Sequence, residues 1–147
     1  MNRRLLLLLS AALVIIALVL YPSQQCQISQ AELKISPVKA FAVSVEQGYA
    51  VGFSFNVTNQ AGCEANARSI HVVLRSVSYA DGTEATQNLD ETEAVSTILP
   101  AGSTGPFSHT FNSYMPYRPA KLNLRVEMTF AEAGSVFVFD GELDVPG

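Results

Sequence analysis

Between residues 122 and 130 the chain reads Leu-Asn-Leu-Arg-Val-Glu-Met-Thr-Phe, an unbroken alternation of apolar and polar side chains. Side chains leave a strand on alternate faces. This segment can therefore bury Leu122, Leu124, Val126, Met128 and Phe130 while Asn123, Arg125, Glu127 and Thr129 stay wet. The same period of two returns at Leu33 and Ile35, at Phe41, Val43 and Val45, at Val51, Phe53, Phe55 and Val57, and at Ile70, Val72 and Leu74. No window beyond residue 26 sustains the 3.6-residue period of an amphipathic helix. Turn signals separate the runs, and Asp81-Gly82 is the strongest hairpin signal among them. Thr83 to Leu89 reads as a polar edge strand, Asp90-Glu91-Thr92-Glu93 as an exposed acidic loop, and Val95 to Leu99 as a short apolar strand. Asn112 to Pro119 reads as a loop. In the last strand Phe137, Phe139 and Leu143 alternate with Val136, Val138, Asp140, Glu142 and Asp144. Val136 and Val138 then fall on the nominally wet face, either against the partner hairpin or as an exposed apolar strip open to interaction. About eight short strands divided by turns predict an antiparallel β-sandwich over residues 31–147.

The first 22 residues follow a different grammar. Arg3 and Arg4 precede Leu5 to Leu20, sixteen residues interrupted only by Ser10. As a helix this run spans about 24 Å, somewhat less than a bilayer core. Pro22 ends it. The pattern is that of a secretory signal or a signal anchor, with the arginines inside and the remainder exported. Leu20 to Gln25 offers no Ala-x-Ala cleavage pattern, which favours an uncleaved anchor over a cleaved signal. Ser23-Gln24-Gln25 before Cys26 is not a lipobox. Residues 23–30 are polar and uncharged and read as a tether. This run explains how a chain with only 15% charged residues and 48% hydrophobic ones can still carry a soluble domain. Beyond residue 26 there are seven Lys/Arg against thirteen Asp/Glu, which argues against a nucleic-acid partner.

Three segments carry a resemblance: Phe53-Ser-Phe-Asn-Val-Thr-Asn59, Ile98-Leu-Pro-Ala-Gly-Ser-Thr104 and Phe137-Val-Phe-Asp-Gly-Glu-Leu143. Their order resembles immunoglobulin-like or fibronectin-III-like sandwiches of seven to eight strands. More narrowly, it resembles the water-stress and hypersensitive-response domain of late-embryogenesis-abundant proteins. The family's Asn-Pro-Asn turn is here Thr58-Asn59-Gln60, without the proline. The resemblance implies an all-β sandwich and a non-enzymatic role, and it carries over no functional residue.

Few residues suggest chemistry. Cys26 and Cys63 are the only cysteines, and in an exported chain they point to a disulfide, with free thiols or an intermolecular bridge as alternatives. A blue-copper site needs two His, one Cys and an axial Met close together. Here Cys63 precedes both His71 and His109, and neither His109 nor Met115 has a cysteine nearby. Met128 lies on the core face of its strand, and His109 is expected at the surface. No metal site and no cofactor is therefore expected. No Gly-x-Ser-x-Gly elbow is present. Asp90, Glu91 and Glu93 are expected to be solvated. Asn56-Val57-Thr58 is a glycosylation sequon with Asn56 on the outer face.

These readings converge on an extracytoplasmic β-sandwich held to the cell membrane through residues 5–20. It serves a structural or protein-binding role in the cell envelope and is expected not to be an enzyme. Its expected partner is another envelope protein or a second copy of itself. No nucleic acid and no small-molecule substrate is identified. The alternatives are a fibre subunit whose Gln27–Pro37 segment completes a neighbour's sheet, and an accessory single-pass subunit of a membrane complex.

Overall fold

The computed structural model describes residues 25–147. The anchor expected over residues 5–20 lies outside them. Among the described residues no helix is long and apolar enough to cross a membrane. A short 3-10 turn, Gln30–Glu32, leads into eight strands: β1 (Leu33–Ile35), β2 (Lys39–Val45), β3 (Gly48–Asn59), β4 (Ala65–Ser78), β5 (Glu84–Leu99), β6 (Thr104–Met115), β7 (Lys121–Phe130) and β8 (Gly134–Asp144). All pairings are antiparallel. In the first sheet β3 pairs with β6 along one side, while β1 and β2 share the other. The second sheet runs β5-β4-β7-β8. The protein is thus an all-β, two-sheet sandwich.

The two sheets meet over a core that follows the alternation. Val51, Phe53, Phe55 and Val57 of β3 face Ile70, Val72 and Leu74 of β4, and Leu122 to Phe130 of β7 supply every second residue. Phe53 is the hub of the aromatic part, with ring centroids 6.1 Å from Phe55 and 6.2 Å from Phe111. Gly52 is required where it stands. A Cβ there would collide with the His109 carbonyl and with the Phe41 ring, which lies across the strand.

Three expectations need correction. First, Val136 and Val138 are not an exposed strip. Both are buried, and Phe137 is the exposed residue of that segment. The cause is a β-bulge. Val126 pairs with Phe139 and Glu127 with Phe137, so Val138 is an extra residue on β8. An inserted residue reverses the face of everything on one side of it. The expected phase therefore holds for Phe139 and Leu143, which pack on the core, and fails before the bulge. Second, Asp90 to Glu93 form no loop. They lie in the middle of β5, a 16-residue strand paired with β4 along its length. Bulges opposite Ala67–Ser69 and Leu74–Ser76 let so long a strand follow its neighbour, and Asn88 takes a positive φ of 50° within the second. Third, β6 continues through Asn112 to Met115, into the segment read as a loop.

Part of the expected tether is built into the domain. Ile28 is buried, its N–H donates to the Glu132 carbonyl at 3.1 Å, and the Gln30 amide donates to the Ser135 carbonyl at 2.9 Å. Cys26 and Cys63 form a disulfide with Cα atoms 6.5 Å apart.

Candidate functional site

Antiparallel strands that span the sandwich place its connections at two ends. One end holds Cys26, Cys63, Asn66, Glu132 and the β5–β6 turn. The other holds the β2–β3 and β4–β5 hairpins, the β6–β7 connection and the C-terminus. At about 3.3 Å per residue, the fourteen residues of β4 separate these ends by roughly 40 Å.

The disulfide end is densely bonded. Asn59, fully buried, donates through its amide to the Cys63 carbonyl at 2.8 Å and the Leu99 carbonyl at 3.0 Å, and accepts from the Ala61 N–H at 3.0 Å. Its backbone pairs with Gly102 and Ser103, both at 2.8 Å. The Asn-centred turn and the Pro-Ala-Gly segment that carry the sequence resemblance are therefore one structural unit. Glu132 accepts from the Asn66 N–H at 2.8 Å and from the Asn66 amide. Partial burial pushes the Glu132 carboxyl up. The Asn66 bonds and the Arg68 charge outweigh that and hold it below the usual carboxylate range.

The opposite end carries Tyr49, Tyr79, Tyr114 and Tyr117, four of the chain's five tyrosines. Tyr114 is 53% exposed and Tyr117 70%. Tyr117 stands edge-on to Tyr79 at 6.1 Å. The two rings share an open cavity of about 420 Å³ with Asp81, Thr83 and Arg118. The Asp81-Gly82 hairpin forms as expected. Asp81 accepts from the Thr83 hydroxyl at 2.6 Å and the Thr83 N–H at 2.9 Å, bonds that lower its carboxyl below the ordinary value. Gly82 takes the positive φ of 85° that this turn demands. Arg118 donates to the carbonyls of Ala42 and Pro146, tying β2 to the C-terminus.

A third site lies on the flank where β5 and β6, edge strands of opposite sheets, run side by side. His109 was expected at the surface; it is 6% exposed. Glu91 and Glu93, opposite the inward-facing Val72 and Ile70, point into the same seam. The His109 Nε2 lies 2.6 Å from a Glu91 oxygen and its Nδ1 2.7 Å from a Glu93 oxygen. The other Glu91 oxygen accepts from the Asn112 N–H at 2.9 Å. The correction is physical: Phe107, His109 and Phe111 share one face of β6, so the partners of Phe107 and Phe111 in the core carry His109 inward with them. An imidazole two residues from a phenylalanine on each side was the available signal. An open cleft of about 480 Å³ lies over the seam, lined in part by Ser108, Thr110 and Thr92.

The other candidate residues stay apart. His71 pairs with Asp90 at 2.7 Å on the outer face of the second sheet. Met115 and Met128 are buried, and Cys63 is held in the disulfide. Asn56 is exposed on the outer face of β3, and its N–H donates to the Ser36 hydroxyl at 2.8 Å.

No family model matches the chain, and no curated protein matches it. Solved structures do. The X-ray structure of a Northeast Structural Genomics Consortium target is 11% identical with a TM-score of 0.50, covering 80% of this chain and 90% of its own. A protein assigned as ApaA from Bordetella pertussis is 15% identical with a TM-score of 0.46, over 83% and 98%. The alkylpurine DNA glycosylase AlkC of Pseudomonas fluorescens, bound to DNA, is 14% identical with a TM-score of 0.43, over 89% of this chain and 34% of that one. The first likeness supports the sandwich fold. The expectation that the chain is not an enzyme is not carried further. None of the three is named as an immunoglobulin-like or water-stress domain.

Proposed function

We propose that the chain is an extracytoplasmic binding domain, held to the membrane by residues 5–20, that engages a protein of the cell envelope through its tyrosine-bearing end. The observation that carries this reading is the polarity of the sandwich. The described chain enters at the disulfide end, beside Cys63, and the exposed tyrosines stand roughly 40 Å away. A chain attached at residues 5–20 has only a few residues before Cys26, so the disulfide end faces the membrane and the tyrosines face outward. Tyrosine combines a large rigid apolar ring with a hydrogen-bonding tip, and for that reason it is enriched in protein interfaces. The segment Gln27–Pro37 supports this reading over the fibre subunit, because β1 already pairs with its own β3 and Cys26 with its own Cys63. The exposed Asn56 is consistent with a glycan acceptor on the flank. The finer kinship with immunoglobulin-like or water-stress domains rests on the three sequence segments, two of which meet at Asn59.

The test is photo-crosslinking in intact cells. A crosslinker at position 117 should capture one envelope protein, whereas one at position 108, on the flank, should not. Equal capture from both positions, or a mature chain released after cleavage near residue 23, overturns the proposal.

A further inference from the structure

His109 is one of only two histidines, and its surroundings differ from those of the other in every respect. His71 is an exposed partner of one carboxylate; His109 is buried between two. The three residues of this cluster belong to different sheets: Glu91 and Glu93 to β5, His109 to β6. The rings of Phe111, 5.2 Å away and edge-on, and of Phe53, 6.1 Å away, close the cluster from β6 and β3 and bring no charge. Glu91 and Glu93 are the titratable groups that bond to the imidazole, and both come from β5.

The number of bonds in this cluster depends on one proton. A neutral imidazole has one N–H donor and one lone pair, so it can donate to only one carboxylate. With both ring nitrogens within 2.7 Å of carboxylate oxygens, the satisfied state is an imidazolium donating to both. We propose that Glu91–His109–Glu93 is a proton-held latch that closes the seam between the two sheets. The imidazolium ties β5 to β6. When it releases its proton, one N–H bond becomes a contact between a lone pair and a carboxylate, and that side of the seam opens. Glu93 is the side that lets go. Its side chain is 49% exposed and can turn to water, whereas Glu91 is 16% exposed and is also held by the Asn112 N–H. Inward-pointing charges are also a known guard against edge-to-edge pairing, so an opened latch leaves the long β5 edge less protected.

The experiment follows the full chain from about pH 5 to about pH 9, across the range in which histidine changes charge. It records the ring ¹⁵N signals of His109 and hydrogen exchange at the Glu91–Val95 amides, corrected for base-catalysed exchange. The expected result is that protection of these amides falls about tenfold with the same midpoint at which His109 loses its proton. His71→Gln should leave that step in place. Glu93→Gln, at a half-exposed position, should remove it. A neutral His109 ring throughout, flat protection across its titration, or an unchanged step in Glu93→Gln overturns the latch. The wild-type measurement decides the question even where a variant does not fold.

Discussion

The two ends of the sandwich are built from similar connections and used in opposite ways. At the disulfide end the polar groups are turned inward and satisfied. Asn59 binds three stretches of chain, Glu132 binds Asn66, and a covalent bridge holds Cys26 to the turn after β3. At the far end Asp81 bonds within its own hairpin, Arg118 bonds only to backbone carbonyls, and large side chains stand in solvent. Atoms at the first end are committed to stability, and atoms at the second are left free to meet something else. Loops that carry function on a rigid scaffold commonly divide in this way.

This contrast predicts which changes unfold the protein and which leave it folded but inert. The largest effect is expected for Cys26→Ser with Cys63→Ser. Opening a loop of this size should cost about 4 kcal/mol, read as a lower urea midpoint with a steeper slope, because the denatured chain expands once the cross-link is gone. Asn59→Ala comes next, at about 2 kcal/mol, because it strands buried carbonyls at Leu99 and Cys63. Glu132→Gln should cost about 1 kcal/mol at neutral pH. Its sign with pH follows from linkage. The folded Glu132 carboxyl titrates below its unfolded value, so its contribution is present above the unfolded value and is lost as pH falls through the folded one. The wild-type and Glu132→Gln stability curves should therefore converge in acid. The smallest stability effect is expected for Tyr114→Ser with Tyr117→Ser, within about 0.5 kcal/mol, together with loss of the crosslinked partner. If that pair unfolds the protein instead, or if Asn59→Ala leaves the urea midpoint unchanged, the two ends are not divided as argued.

The seam between β5 and β6 differs from both ends. At the tyrosine end Arg118 donates to backbone carbonyls, an arrangement with no titrating partner. On the His109 flank the contact is between ionisable side chains, an imidazole and two carboxylates. Its pH response should accordingly be confined to β5 and β6.

Much of the fold is legible in the alternation. β3 and β7 show their inner faces residue by residue, Asp81-Gly82 marks its hairpin, and the pair of cysteines points to its bridge. The failures share a cause. A bulge at Val138 inverts the facing of Val136 and Phe137, and nothing local in Ser-Val-Phe-Val-Phe announces it. Asp90 to Glu93 look like a loop because their charges suit water, and His109 looks like a surface residue for the same reason. Each is a polar group whose partner lies on another strand.

The amino-acid order alone determined the strand class, the approximate strand count, the inner faces of the unbulged strands and the membrane-like N-terminal run. These depend on period and composition, which are local. The tertiary structure decided the side on which the bulged strands turn, the continuity of β5, the meeting of Asn59 with the Pro-Ala-Gly turn, and the closing of two carboxylates on His109. Those depend on register between strands distant in sequence. A shift of one residue in register exchanges the buried and exposed faces of a strand without changing its sequence.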